Sequence, residues 1–328
     1  MRMLSAFNAF DLTLLALLMT AGVALDRLLG ETPRWHPLVG FGRYVQFIER
    51  RLNRQPGSHA RGVCAWLLAV LPPVALACAA TILLARQSLW LAAAWHVLLL
   101  YFCIGLRSLR DHAMPIAAAL KDGDLAAARA LTGRIVSRDT SQSQETDLAK
   151  AAVESLLENG NDAVFGTLFW FAVAGGPGAL LFRLANTLDA MWGYRTPRFL
   201  AFGCAAARID DALNWIPARL TALSYAVLGN WRQARTCWRE QAPAWSSPNA
   251  GPVMASGAGA LGLALGGAAV YDGEVEQRPP LGVGRDAVAG DIARAWTMVS
   301  RTAMLWLTVM LATAMLLSTL LSFGAPHA

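Results

Sequence analysis

The chain has 328 residues, is 55% hydrophobic and only 15% charged, and carries a formal charge of +6 with a mean hydropathy of +0.40. That is more apolar surface than one soluble core of this size needs, which sets aside a soluble fold and implies an all-α, polytopic integral membrane protein. The basic residues sit in loops beside apolar runs, so the positive charge reads as positive-inside bias and not as nucleic-acid binding.

Four apolar runs predict firm spans near 12–25, 63–85, 89–106 and 303–323, several reaching the roughly 20 residues that cross a hydrocarbon core as a helix. The first is short but lacks the basic start and cleavage site of a signal peptide, and reads as a retained helix. Arg27, Arg34, Arg43, Arg50, Arg51, Arg54 and Arg61 lie between the first two spans, whereas only Arg86 lies near the next link. The first loop is therefore cytoplasmic, and the third span returns the chain to a cytoplasmic loop over 107–162. In the first loop Pro33-Arg34-Trp35-His36-Pro37 is built to be rigid, and His36 is the histidine to watch among five scattered ones. The five cysteines lack Cys-x-x-Cys spacing and read as packing residues.

Within 107–162, Asp124 to Thr132 reads as a capped helix and Glu145 to Asn159 as a second one. Glu154 and Glu158 are four apart and project from one face, with Asp162 a turn further if the helix continues. A solvated face is the plain reading of such a pair; a cation between them is the other. Residues 163–183 are apolar but are interrupted by Gly175-Gly176-Pro177-Gly178, which favours a re-entrant pair of half-helices over one crossing. Segments 213–229 and 257–271 are further possible spanning or re-entrant segments, and 273–294 reads as a polar loop before the last span. The whole chain, 1–328, is taken as one membrane-embedded domain with re-entrant or broken helices and cytoplasmic helical loops.

No P-loop, dinucleotide glycine fingerprint, His-Glu-x-x-His or Gly-x-Ser-x-Gly is present. What remains is a run of carboxylates, carboxamides and arginines over 154–219. Oxygen ligands suit Mg²⁺, which bridges to substrate phosphate. Arg138, Arg195, Arg198, Arg208 and Arg219 are planar donors to phosphate or carboxylate. Arg208 beside Asp210 and Asp211 reads equally well as a structural ion pair.

The order of several blocks resembles the adenosylcobinamide-phosphate synthase family of cobalamin biosynthesis. They include Asp26-Arg27-Leu28-Leu29-Gly30, Val136-Ser137-Arg138-Asp139-Thr140, Glu158-Asn159, Asn186-Thr187-Leu188-Asp189-Ala190-Met191-Trp192-Gly193-Tyr194-Arg195, Ala207-Arg208-Ile209-Asp210-Asp211, Asn214-Trp215-Ile216-Pro217-Ala218-Arg219 and Ser247-Pro248-Asn249-Ala250-Gly251. The resemblance runs over roughly 26–290. It implies a multi-pass ligase that joins adenosylcobyric acid, a corrinoid, to (R)-1-amino-2-propanol or its O-phosphate through an amide bond, coupled to ATP hydrolysis with Mg²⁺. It offers Glu154, Glu158, Asp189 and Asp210 as catalytic candidates and Asp162, Asp189, Asp210 and Asp211 as metal ligands. Arg138, Asn159, Asn186, Arg195, Arg208, Asn214, Arg219 and Asn249 become candidates for substrate or phosphate binding. It further implies an inner-membrane location with the site facing the cytoplasm and the lipid bilayer around it; other corrinoid-pathway enzymes and, as a homo-oligomer, a second copy of the chain are candidate partners, and the sequence does not fix the oligomeric state. A transporter or sensor on the same fold is an alternative. So is a Mg²⁺-dependent prenyl-diphosphate transferase, suggested by Asn186-x-x-Asp189 and Asp210-Asp211-x-x-Asn214. The chain departs from the family pattern at Gly160-Asn161, at Gly166-Thr167 and at Pro252-Val253-Met254, where Met254 stands in place of a glutamate.

Overall fold

The computed structural model describes residues 12–32, 36–54, 57–271 and 273–324; Pro33 to Trp35, in the loop expected to be rigid, lie outside the described residues. Twelve α-helices and one small sheet make up the described chain. In order they are α1 (Leu12–Leu29), α2 (Pro37–Leu52), α3 (His59–Gln87), α4 (Leu89–Cys103), α5 (Leu106–Lys121), α6 (Leu125–Thr132) and α7 (Glu145–Gly160). A π-turn (Asn161–Phe165) leads to α8 (Gly166–Trp192), α9 (Cys204–Leu228), α10 (Trp231–Gln241) and α11 (Ala250–Leu261). The strands β1 (Leu263–Tyr271), β2 (Glu274–Leu281) and β3 (Arg285–Asp286) precede α12 (Ala289–Gly324). Five helical stretches are long and apolar enough to cross a membrane: Leu12–Leu29, His59–Gln87, Leu89–Lys121, Glu145–Trp192 and Ala289–Leu320. The chain is a polytopic helical membrane protein. Leu76 is 72% and Trp90 81% exposed, and large apolar side chains bared in this way on α3 and α4 fit lipid, not water.

The chain divides into two compact units interleaved in sequence: Met1–Gly105 with Gly166–Leu213 and Leu305–Ala328, and Leu106–Phe165 with Asn214–Met304. In the first unit α4 packs on α1, α3 and α8. A second core closes α2 onto α3 and α8 through Val45, Ala65, Val70, Leu188 and Trp192.

The glycine-rich stretch in α8 breaks the helix, as its composition requires. In an unbroken helix, residues eight apart are separated by about 12 Å of rise. Here a Cβ on Gly178 would collide with the Trp170 carbonyl oxygen, and a Cβ on Gly166 with the Phe182 ring. Both contacts are symmetric about Ala174. The chain therefore reverses at Ala174 (φ −139°, ψ 21°) and Gly175 (φ 62°, ψ −154°), and α8 is a helical hairpin. The left-handed φ of Gly175 is one that a side chain rarely tolerates. The reversal frees the Gly176 N–H, which donates to His96 Nδ1 at 2.8 Å.

The second unit packs α5 on α6 and α7, and α11 on α7, α10 and β1. Its sheet, in order β2-β1-β3, adds to the expected helical class. It also corrects the reading of 257–271 as a spanning or re-entrant segment and of 273–294 as a loop. Gly262 takes a left-handed conformation (φ 67°) and ends α11. The following residues pair antiparallel with 274–281, with a bulge between Gly266 and Gly267. The strand is hidden in the sequence because its alanines and glycines lack the alternation of a half-buried strand.

Candidate functional site

The helix α7 is capped at its start, where the Gln144 N–H donates to Asp147 Oδ2 at 3.0 Å. On the face expected to be polar, Glu154 is buried and Glu158 half-buried, so neither carboxylate stands on a freely solvated face. Glu154 is 2% exposed. Its Oε2 accepts from Arg138 Nη2 and, at 2.7 Å, from Arg278 Nη1, while Oε1 accepts from the Gly266 N–H at 2.8 Å. Arg278 Nε also donates to the Gly267 carbonyl at 3.2 Å, and the guanidinium lies 5.9 Å from the centre of the Trp245 ring. Burial pulls the Arg278 guanidinium down, but the hydrogen bonds and charge of Glu154 outweigh it and hold it above its ordinary value. Two cations and an amide thus neutralise one buried carboxylate, the condition for burying a charge without a large penalty. Glu154 is a clamp for two arginines.

These arginines wall a cavity of about 290 Å³ whose other sides include Glu158, Asn159, Ser247, Trp245 and Met254. Glu158 has Asp162, Glu154, Arg138 and Arg278 as charged neighbours, yet among the described residues its carboxylate makes no hydrogen bond or ion pair. The Trp245 indole N–H is buried without a hydrogen-bond partner. A buried donor and a carboxylate left unmatched in one cavity mark it as built for a ligand. Asn159 donates to the Ser155 carbonyl at 2.9 Å, which turns it toward the same cavity. Met254, where the family resemblance expects glutamate, lies in this wall and is 3% exposed.

Beyond Gly160 the helix widens into the π-turn, so Asp162 does not simply extend the Glu154–Glu158 row. Asp162 Oδ1 accepts from Asn161 Nδ2 at 3.0 Å and from Asn214 Nδ2 at 2.9 Å. Asn161 Nδ2 in turn donates to Asn214 Oδ1, and Thr221 Oγ1 donates to Asn161 Oδ1. Such π-turns recur at functional positions. Arg219 donates to Asn249 Oδ1 at 2.8 Å and lies over the Trp215 ring at 4.5 Å. It therefore joins α9 to the start of α11.

The remaining candidates belong to the other unit. Asn186 and Asp189 sit on the returning arm of the α8 hairpin, where a Cβ on Gly193 would meet Asp189 Oδ1. Arg195 and Arg208 are exposed, Asp210 is 6% exposed, and Asp211 is half-buried. Arg198 pairs with Glu49 at 2.9 Å and acts as a structural tie between α2 and the chain after α8. Among the described residues no three His, Cys, Asp or Glu side chains gather to hold a metal ion by themselves. Arg278, Trp245 and Tyr271, which also lines the cavity, are residues to which the sequence alone does not point. They lie in stretches without a motif, and only the pairing of β1 with β2 brings Arg278 to Glu154, 124 residues away.

No solved structure matches the chain. A family model described as CobD/Cbib protein matches residues 19–299. Cobalamin biosynthesis protein CobD of Chromobacterium violaceum is 53% identical over 320 residues, covering 95% of this chain and 99% of its own. The protein of the same name from Stutzerimonas stutzeri is 56% identical, covering 88% and 94%. Cobalamin biosynthesis protein CbiB of Salmonella typhimurium is 34% identical, covering 90% and 94%. With the model match and these identities spanning nearly its full length, the chain belongs to the CobD/CbiB family.

Proposed function

We propose that this protein is an enzyme of cobalamin biosynthesis that forms an amide bond between adenosylcobyric acid and (R)-1-amino-2-propanol or its O-phosphate at the expense of ATP. The observation that carries the reading is the unpartnered carboxylate of Glu158 in a cavity walled by Arg138 and Arg278. An amide ligase must hold an anionic electrophile and take a proton from an incoming ammonium, and this cavity offers both functions side by side.

Arg138 and Arg278, fixed by Glu154, present guanidinium donors to the substrate carboxylate and to charge that grows on it as the amine attacks. The Trp245 N–H is a further donor to an oxygen of that group. Glu158 would bind the ammonium and take its proton, so that the neutral amine attacks the phosphoryl-activated carboxyl carbon, breaks its bond to the phosphate oxygen and releases inorganic phosphate. ATP supplies the phosphoryl group that turns a carboxylate into a competent electrophile. Mg²⁺ suits this donor set, because it commonly takes one or two protein carboxylates and completes its shell with phosphate and water. Asp162, oriented by the Asn161 and Asn214 carboxamides, stays a proposed metal ligand outside the cavity's lining. Asp189, Asp210 and Asp211 stay proposed metal or catalytic residues, and Asn186, Arg195 and Arg208 proposed substrate contacts. The reversal in α8 supports a re-entrant hairpin whose two ends open to one side of the bilayer, which the arginine-rich loops assign to the cytoplasm.

The test uses full-length protein in detergent with adenosylcobyric acid, Mg·ATP and either aminopropanol or its phosphate, with the corrinoid followed by mass spectrometry. A mass gain equal to amide formation, dependent on ATP, is expected. A monodisperse protein that yields no product with either amine overturns the proposal.

A further inference from the structure

A second cavity, of about 370 Å³, lies on the other side of the same arginine pair. Arg138 and Arg278 line both cavities, and Lys150, whose Nζ pairs with Asp286 Oδ1 at 2.6 Å, joins them in the second. Facing these cations is strand β1 from Gly266 to Val270. β3 covers β1 only at Leu263 and Ala264, so further along this edge is open. The Asp139 N–H donates to the Val270 carbonyl at 2.8 Å, which shows that the polar groups of Val270 point away from β2. Strand alternation then turns the N–H and C=O of Ala268 to the same open edge. Gly267, beside it, has nothing within 4 Å of where a Cβ would stand. Asp139 and Asp147 complete the rim, and the Ser141 N–H, donating to Asp139 Oδ1 at 2.8 Å, holds that carboxyl below its ordinary range.

We infer that this second cavity binds a magnesium nucleoside triphosphate. A free donor and acceptor on one strand edge, next to Val270 and Val275, match the hydrogen-bonding edge and apolar face of a purine. Arg138, Arg278 and Lys150 match a polyphosphate, for which a guanidinium fork and an ammonium are the usual partners. Asp139 and Asp147 would hold the nucleotide's own Mg²⁺, separate from any ion at Asp162. The shared arginines place the phosphate end of this ligand at the wall of the Glu158 cavity. The inference rests on the amide-ligase reading above for its choice of nucleotide, but its site stands on this geometry.

The experiment uses full-length protein in detergent, photolabelled with Mg·8-azido-ATP and mapped by mass spectrometry, alongside titration with Mg·AMP-PNP. Label within 134–150 or 263–281, removed by excess ATP, is expected. Lys150→Glu, which replaces an attractive charge by a repulsive one, should weaken Mg·AMP-PNP by about tenfold or more. Ala268→Pro deletes one N–H on the edge turned away from β2, a placement an edge strand tolerates, and should weaken it by about threefold or more. Melting curves of both variants establish that they are folded. Glu158→Gln serves as the contrast: it should lose amide formation yet bind nucleotide at least as tightly as wild type, because it removes a negative charge beside the shared arginines. Label elsewhere, no nucleotide binding by the wild type, or wild-type affinity in both folded cavity variants overturns the site. Absence of amide product with nucleotide binding lost in the two variants would instead sink the ligase reading and leave the site standing.

Discussion

Replacing Glu154 by glutamine tests the arginine clamp directly. Its carboxylate accepts two bonds from Arg278, one from Arg138 and one from the Gly266 N–H, at a position where its side chain is 3% and the arginines are 13% and 7% exposed. Glutamine keeps the shape but not the charge, and its NH₂ must face at least one of those donors. Two guanidinium groups are then buried without a counter-charge, and breaking a buried pair in this way costs about 3–5 kcal/mol. Arg138→Gln is milder, because Arg278 stays paired to Glu154 and only one charge-assisted bond, about 1.5–3 kcal/mol, is lost. At roughly 2–4 °C per kcal/mol for a chain of this order of size, Glu154→Gln should melt on the order of 10 °C lower and Arg138→Gln by about half that. Thermal unfolding in detergent, read by tryptophan fluorescence, measures both, and the ring of Trp245 beside Arg278 reports the site locally. Glu154→Gln should also lose amide formation. Melting of Glu154→Gln within about 2 °C of wild type, or a larger loss in Arg138→Gln, would refute the clamp.

Glu158→Gln should lower turnover by about 100-fold or more while leaving the melting temperature unchanged or raised, since an unmatched, half-buried carboxylate adds nothing to stability; a parallel loss of stability would recast it as a structural residue. Asp189→Asn and Asp210→Asn should abolish turnover with membrane insertion intact, and wild-type-like rates in both would withdraw them as catalytic residues. Gly178→Val places a branched side chain against the Trp170 carbonyl and should yield aggregated protein, whereas Gly290→Val, which meets nothing within 4 Å, should fold normally; equal yields would contradict the hairpin. His36 Nδ1 accepts the Leu38 N–H at the start of α2, and its pKa lies below 6.5 because burial, opposed by Glu31 and aided by Arg183, disfavours the cation. The unfolded chain therefore binds the proton first, so this cap's contribution is full above about pH 6.5 and fades as the pH falls through the folded value. Wild type should lose stability over that interval relative to His36→Asn, whose side chain caps without titrating, and coincident pH profiles would dismiss the effect.

What could be read in the sequence and what could not divide along physical lines. The spans were visible because long apolar runs are a local property. The break in α8 is legible because Gly-Gly-Pro-Gly weighs heavily against a regular helix. The spacing of Glu154 and Glu158 sets them on one helix face, as the structure has them, but says nothing of their surroundings. A carboxylate's burial is decided by its partners, and Arg278 reaches Glu154 only through the β1–β2 pairing. That pairing was hidden in turn, because β1 is built from alanine and glycine, with the bulge at Gly266 and Gly267 bringing the Gly266 N–H onto Glu154. The same glycines that made 257–271 look like a helix with flaws are the ones whose backbone meets the site. The π-turn at Asn161–Phe165 left no trace in the spacing, yet it takes Asp162 off the row of Glu154 and Glu158 and gives it to Asn161 and Asn214. The chemistry of the site thus depends on two departures from regular structure, a bulged strand and a widened helical turn. Each assigns a different task to carboxylates that the sequence sets at equal intervals: Glu154 holds the arginines, Glu158 faces the cavity, and Asp162 is oriented by carboxamides.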